Sequence, residues 1–272
     1  MAMPAESRGD PRRRVRRLEE CNQRGGRMLT LVDLVEAGTV SLDMAAYLAA
    51  VVRRGHSVLV GANPGGAGKT TVMAALLSFL PDETAILPVT AGAAAATGSA
   101  LQRAARDTAY GSTCYLAHEI GAGPYYAYVW GAAVRAFFAL AGRGHIVASN
   151  LHADTLAQTR AQLCDENGVD PADLQEVTLK LYLRLDRGPG RRLNRRVAYV
   201  YESDGERDTL IWTHTAERDR SGAAGFWREA ESAVVSPEDE RICRDFLASL
   251  PAAGIREMAP VQQEISAHLH LP

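Results

Sequence analysis

Short apolar runs alternate along the chain with segments of helical periodicity. His56 to Gly61 (HSVLVG) reads as an apolar strand and Ala85 to Val89 as a second. Thr113 to Ala117 forms a third, ending at His118-Glu119, and His145 to Ser149 a fourth, ending at Asn150-Leu151-His152. Between these runs, Ser41 is placed to cap a helix reaching about Arg54, with Ala45, Leu48, Val51 and Val52 on its apolar face. Leu29 to Gly38 is a short amphipathic segment. Further helices fit Lys69 to Leu80, stopped by Pro81, then Ser99 to Asp107 and Tyr126 to Ala141. Strand–helix alternation of this kind predicts an α/β fold with a parallel sheet wrapped by helices.

The period then changes. Val177, Leu179, Leu181, Leu183 and Leu185 fall on one face, and Thr178, Lys180, Tyr182 and Arg184 on the other, which predicts a half-buried antiparallel strand. Gly188-Pro189-Gly190 makes the turn, Arg196 to Tyr201 returns, and Thr209 to Thr213 adds a strand. From Pro237 the pattern is helical again, with breaks at Pro251 and Gly254. Three segments are expected: a basic arm over 1–27, an α/β domain with an antiparallel extension over 28–215, and a helical segment over 216–272.

Composition narrows the function classes. Of 272 residues, 47% are hydrophobic and 23% charged, which excludes disorder over most of the length. A net charge of −2 gives no overall basic field, so no specific nucleic acid is expected. The four cysteines, 21, 114, 164 and 243, form no CxxC, which argues against a zinc knuckle or redox dithiol and for free thiols in a reducing cytosol. Residues 1–27 hold eight arginines against four acids and lack the apolar stretch of a secretory signal; they read as a loose arm or a short charged helix. The uncharged stretch Thr84 to Gln102 is Ala-, Gly-, Thr- and Ser-rich and holds Pro88, so it is no membrane span, and a soluble protein is expected.

Only two of the 30 basic residues, Lys69 and Lys180, are lysines. Lys69 falls in Asn63 to Thr70, N-P-G-G-A-G-K-T, where seven of eight positions satisfy the Walker A pattern and Asn63 replaces the first glycine. Gly65, Gly66 and Gly68 let the backbone curl and aim its N–H groups inward at phosphate oxygens, and the following helix adds its positive end. Lys69 brings a compact charge to the β/γ-phosphates and Thr70 a hydroxyl to Mg²⁺. Asn63, Pro64, Gly65, Gly66, Ala67, Gly68, Lys69, Thr70 and Thr71 are therefore the candidate ATP cradle. The bland alternative is a glycine-rich turn between strand and helix.

With these residues in view, the span Leu29 to His268 resembles the type II/type IV secretion ATPases, the motors of pili, archaella and secretion systems, especially their archaeal branch. The resemblance lies in L-T-L-V-D-L-V-E-A-G at 29–38, N-P-G-G-A-G-K-T-T at 63–71, L-Q-R-A-A-R-D at 101–107, Y-L-A-H-E-I-G at 115–121 and G-H-I-V-A-S-N-L-H-A-D-T at 144–155. Weaker likenesses follow at R-R-V-A-Y-V, 195–200, and in the helices from Arg244 onward. It implies a RecA-like P-loop domain with an antiparallel extension and C-terminal helices. It further implies ATP and Mg²⁺ as ligands, and Glu119 as the group that polarises water or holds Mg²⁺ together with Thr70. His152 would sense the γ-phosphate, and Arg103 and Arg106 would neutralise phosphate charge from a neighbouring subunit. A homo-oligomeric, hexameric ring on a membrane platform protein is implied, in the cytoplasm and extending to the inner face of the membrane. The chain departs from the family in two places: no acid stands between Ala85 and Asp107, where the family keeps an Asp box, and Ile120-Gly121 follows Glu119.

Read from the residues alone, alternatives stay open. Glu119 fits a surface acid at a strand end, His152 a capping or core histidine, and Arg103 with Arg106 a solvated helix face. His118 and Glu119 are adjacent strand residues and face opposite ways, so one shared metal is not expected. Tyr125, Tyr126, Tyr128 and Trp130 form an aromatic cluster read as packing rather than base stacking. For function, a nucleotide-binding regulatory subunit with little turnover and a nucleic-acid motor stand beside the secretion motor.

Overall fold

The computed structural model describes residues 11–21, 25–63, 65–89, 113–123, 128–187, 193–215 and 225–272. The apolar runs become parallel strands: β1 (Val58–Gly61), β2 (Ala85–Val89), β3 (Thr113–Ile120) and β5 (Ile146–Leu151), with a two-residue β4 (Tyr128–Val129) paired to the end of β3. The antiparallel half follows as β6 (Leu179–Arg187), β7 (Leu193–Ser203), β8 (Asp208–Thr215) and β9 (Gly225–Arg228). Together they make one sheet in the order β2-β3-β5-β1-β6-β7-β8-β9. β6 is the seam, because it pairs parallel with β1 on one side and antiparallel with β7 on the other. The fold is thus mixed α/β, with a parallel half and an antiparallel half.

Helices α2 (Leu31–Glu36), α3 (Leu42–Arg53) and α4 (Lys69–Leu77) surround the parallel strands, and Ser41 caps α3 by accepting from the Met44 N–H at 3.1 Å. One apolar cluster joins α3 and α4 to the C-terminal helices α8 (Pro237–Ala252) and α9 (Met258–His268) through Leu247, Leu250, Val261 and Ile265. The opposite face of the sheet is filled by α5 (Ala132–Ala141), by α6 (Leu156–Arg160) with the π-helical turn Ala161–Glu166 that extends it, and by α7 (Pro171–Gln175).

Three expectations are corrected. The helix over Tyr126 to Ala141 starts only at Ala132: Tyr128 and Val129 pair with β3, and Gly131 at φ +63° breaks the helical path ahead of α5. α4 ends at Leu77 rather than Leu80, because the N–H groups of Phe79 and Leu80 turn back to the carbonyls three residues earlier before Pro81. The strand from Val177 is not half-buried. Tyr182 and Lys180 are as buried as Leu179 and Leu181, since α6 covers that face and Thr159 bonds the Tyr182 hydroxyl at 2.7 Å. Of the two readings of residues 1–27, the short charged helix is the one seen over Pro11–Glu19, α1, with Val15 and Leu18 in the same core cluster as α3 and α4. The expected helix Ser99 to Asp107 and the turn Gly188 to Gly190 lie outside the described residues.

Candidate functional site

β1 delivers the chain to the glycine-rich loop at the edge of a cleft of about 690 Å³. Gly61, the last residue of β1, sits so close to the Ala153 carbonyl and the Tyr182 ring that a Cβ would strike both. This close approach lets the Ala62 N–H reach the Leu151 carbonyl at 3.2 Å, tying the loop to the end of β5. Gly66 and Gly68 take φ of +82° and +97°, which side-chain-bearing residues avoid, and Gly68 opens α4. The loop therefore curls with the first turn of α4 pointing into the cleft, the geometry that presents N–H groups to an anion.

The predicted polar residues converge there. Lys69 donates from Nζ to the Ala62 carbonyl at 2.9 Å and pairs with Glu119 Oε1 at 3.0 Å. Glu119 is second from the end of β3, and its Oε1 also lies 3.1 Å from His152 Nε2, just past β5. Lys69, Glu119 and His152 thus form a short chain across the mouth of adjacent strands β3 and β5. His118 also lines the cleft. Burial holds its imidazole below the ordinary histidine range, with Glu119 pulling partly the other way. Tyr128 packs edge-on to His152 with ring centres 6.4 Å apart. His145 is buried against Tyr115.

Three residues that the motif reading passed over complete the frame. Asn150, buried at the end of β5, donates from Nδ2 to the His118 carbonyl at 2.8 Å and to Thr70 Oγ1 at 3.3 Å. Asp154 grips Asn63 through both oxygens, accepting from its backbone N–H at 2.8 Å and its Nδ2 at 2.7 Å, and Gln158 adds 3.2 Å to the same amide. The residue that replaces the first glycine of the loop is therefore tied to the start of α6. Arg195 on β7 donates from Nε to the Gly66 carbonyl at 2.9 Å. The stretch 144–155 signals Asn150 and Asp154, and the weaker likeness at 195–200 begins with Arg195, though neither gives these residues their contacts. Pro64, Arg103, Arg106, Tyr125 and Tyr126 lie outside the described residues.

The donor set fits Mg²⁺ carried in on phosphates. Thr70 Oγ1 and the Glu119 carboxylate are hard oxygen donors on one cleft, and the buried Asn150 Oδ1 beside Thr70 has no partner among the described residues. Among the described residues no cluster of three or more His, Cys, Asp or Glu could cage a metal by itself. Nor is any helix there long and apolar enough to cross a membrane.

No family model matches the sequence, and no curated protein matches it. Solved structures do. The VirB11 ATPase of the Brucella suis type IV secretion system, in complex with sulphate, is 19% identical over 63% of this chain, with a TM-score of 0.43. The ATPase DotB of Legionella pneumophila is 12% identical over 93%, TM-score 0.39, and that of Yersinia pseudotuberculosis 13% identical over 86%, TM-score 0.42. The chain spans 54%, 66% and 55% of their lengths respectively.

Proposed function

We propose that this chain is a P-loop ATPase subunit. It binds ATP with Mg²⁺ in the cleft and hydrolyses it slowly, in the service of a type IV pilus-like or secretion apparatus. The observation that carries the reading is the convergence of Lys69, Glu119 and His152 on the mouth of a glycine-rich loop that opens a helix. The motifs at 63–71, 115–121 and 144–155 support it.

The residues divide the work as follows. Without nucleotide, the Lys69 ammonium rests on Glu119. Polyphosphate offers it a stronger anion, and its transfer releases the carboxylate. Oε1 then carries only His152 Nε2, which holds the carboxylate in place as it accepts a proton from an attacking water. Loop N–H groups and the end of α4 neutralise phosphate charge. Thr70 and Glu119 would hold Mg²⁺, which when bound withdraws charge from the phosphate oxygens. The acid-free stretch between Ala85 and Asp107 removes one positioning contact, which is why turnover is expected to be slow. A ring in which Arg103 and Arg106 reach a neighbour's site, docked on a membrane platform, rests on the motif resemblance. A nucleotide-binding regulatory subunit is the second reading, favoured by the same acid-free stretch.

Lys69→Ala should abolish tight binding of a non-hydrolysable ATP analogue, since a charge-assisted contact of roughly 1.5–3 kcal/mol is lost. Unchanged binding would remove the nucleotide reading. Glu119→Gln should bind normally and release phosphate on the order of 100-fold more slowly, the loss that general acid–base removal typically brings. Binding with no wild-type turnover would select the regulatory subunit. Mixing Arg103→Ala/Arg106→Ala chains with Lys69→Ala chains should restore part of the turnover, and co-assembled mixtures without rescue would exclude fingers in trans.

A further inference from the structure

We propose that Arg195 binds the phosphate chain of the nucleotide, a role that rests on the reading above and adds a cation to it. Arg195 lies on β7, in the antiparallel half of the sheet, and crosses to the glycine-rich loop. Its Nε–H donates to the Gly66 carbonyl at 2.9 Å. Its stem runs over Gly68, where a Cβ would lie 3.3 Å from Arg195 Cδ. The bare Gly68 thus leaves room for the arginine as well as for the turn into α4. One bond to Gly66 fixes one edge of the guanidinium and leaves the Nη amino groups without a hydrogen bond or ion pair among the described residues.

The backbone beneath this side chain is held in place. The Val197 N–H reaches the Thr39 carbonyl at 2.9 Å, and Arg196 Nη1 spans the carbonyls of Ala37 at 3.3 Å and Arg195 at 3.0 Å. The other cations of the cleft are engaged: Lys69 by Glu119, Arg196 by those carbonyls, and Arg27 by both oxygens of Asp33. Among the described residues Arg195 and Arg196 both keep guanidinium donors without an acid partner, and of the two Arg195 is the one that reaches the glycine-rich loop. An exposed guanidinium with no acid partner, pinned beside the glycine-rich loop and the first turn of α4, is placed to meet an anion with several oxygens. Its fork matches phosphate geometry where a lysine would supply only a point charge. The contact acts within one chain, in contrast to the trans role assigned to Arg103 and Arg106.

The test is a ladder of nucleotides differing only in phosphate count. AMP, ADP and a non-hydrolysable ATP analogue, each with Mg²⁺, are titrated calorimetrically into the full chain and into Arg195→Ala, Arg195→Gln and Arg195→Lys. The expected result is about a tenfold loss of affinity for ADP and the ATP analogue in the Ala and Gln variants, under about twofold for AMP, and partial recovery in Lys. The salt dependence of ATP-analogue binding should also become shallower. Wild-type affinity for the ATP analogue in Arg195→Ala, with unchanged thermal unfolding, would overturn the proposal. So would equal losses for AMP and the ATP analogue, which would leave Arg195 as a latch on Gly66. Lys69→Ala run alongside separates the two levels. If it too binds normally, the nucleotide reading has failed; if only the Arg195 variants bind normally, this inference has.

Discussion

Lysine is used twice in this chain, and each time the ammonium meets a carboxylate. Lys69 meets Glu119 at the mouth of the cleft, where the pair can part. Lys180 is almost fully buried on β6, donating to the Val177 carbonyl and to Asp208 Oδ1, both at 2.7 Å. Burial lowers its pKa and Asp208 pulls it back, leaving it below the ordinary lysine range. Arg160, half-exposed, takes the other Asp208 oxygen from outside at 3.1 Å. Lys180→Met should cost about 3 kcal/mol in urea unfolding, the lower end for breaking a buried pair, because Arg160 still partners Asp208. A loss under about 1 kcal/mol would mean that the lysine is merely accommodated. The sign of its pH dependence is fixed as well. With the folded pKa below the unfolded one, the unfolded chain binds more protons just below pH 10.4, so this group's contribution grows as pH rises through that window.

At the scale of elements, α1 shows what a charge count conceals. Its arginines read as solvated, yet Arg14 is buried and donates to four carbonyls, those of Leu80, Pro81, Asp82 and Thr84, at 2.5–3.0 Å. These carbonyls lie in the turn that follows α4, where Leu80 also accepts from Arg53 Nη1 at 3.1 Å and Pro81 from the Thr84 N–H at 3.0 Å. Burial lowers the guanidinium to about 10, with Asp82 opposing. Arg14→Met should therefore destabilise by about 2–3 kcal/mol, since a buried multidentate donor is lost while the Leu80 and Pro81 carbonyls keep a second donor. Denaturant midpoints check this, and a near-neutral change would show that water replaces the arginine. What the sequence makes legible follows the same division. Strands β1, β2, β3 and β5, the capped α3 and the loop into α4 are local patterns of apolar period and turn chemistry, and they stand close to where the pattern puts them. Burial of Lys180, the docking of Arg14 and the approach of Arg195 to Gly66 are contacts between residues 28 to 129 positions apart. No local period encodes them. β4 escaped notice because two residues are too few to show alternation, and its aromatic-rich surroundings look equally helical.

Across the whole molecule, the C-terminal helices close on the elements that carry the cleft, and carboxylates hold the closure. Asp82 follows α4, takes Arg53 at 2.7 Å and accepts from Ser266 of α9 at 2.9 Å. Asp239 sits in the first turn of α8, reciprocates the Ser236 cap and takes Arg54 of the α3 end at 2.7 Å. Burial pushes both carboxyls up, but their arginine hydrogen bonds and the accompanying serine bonds outweigh it, and both end below the ordinary aspartate range. A carboxyl with a lowered folded pKa contributes stability that is complete above its unfolded value, near 3.9, and is lost as pH falls through the folded one. The protein should thus hold its unfolding midpoint from neutral pH down to about pH 5 and lose it steeply below about pH 4. Because Asp239 is buried and Asp82 partly exposed, Asp239 should carry the larger share, about 1–2 kcal/mol for a cap that is also ion-paired. Asp239→Asn should lower stability at pH 7 and flatten the acid limb, while Asp82→Asn flattens it less. Urea unfolding followed by circular dichroism between pH 3 and 7 reads both effects. If the double variant keeps the wild-type acid limb, these two carboxylates do not hold the closure of α8 and α9 on α3 and α4. In that case Leu247, Leu250, Val261 and Ile265 carry it, with the exposed Arg244–Asp43 pair between α8 and α3 the ionic contact that remains.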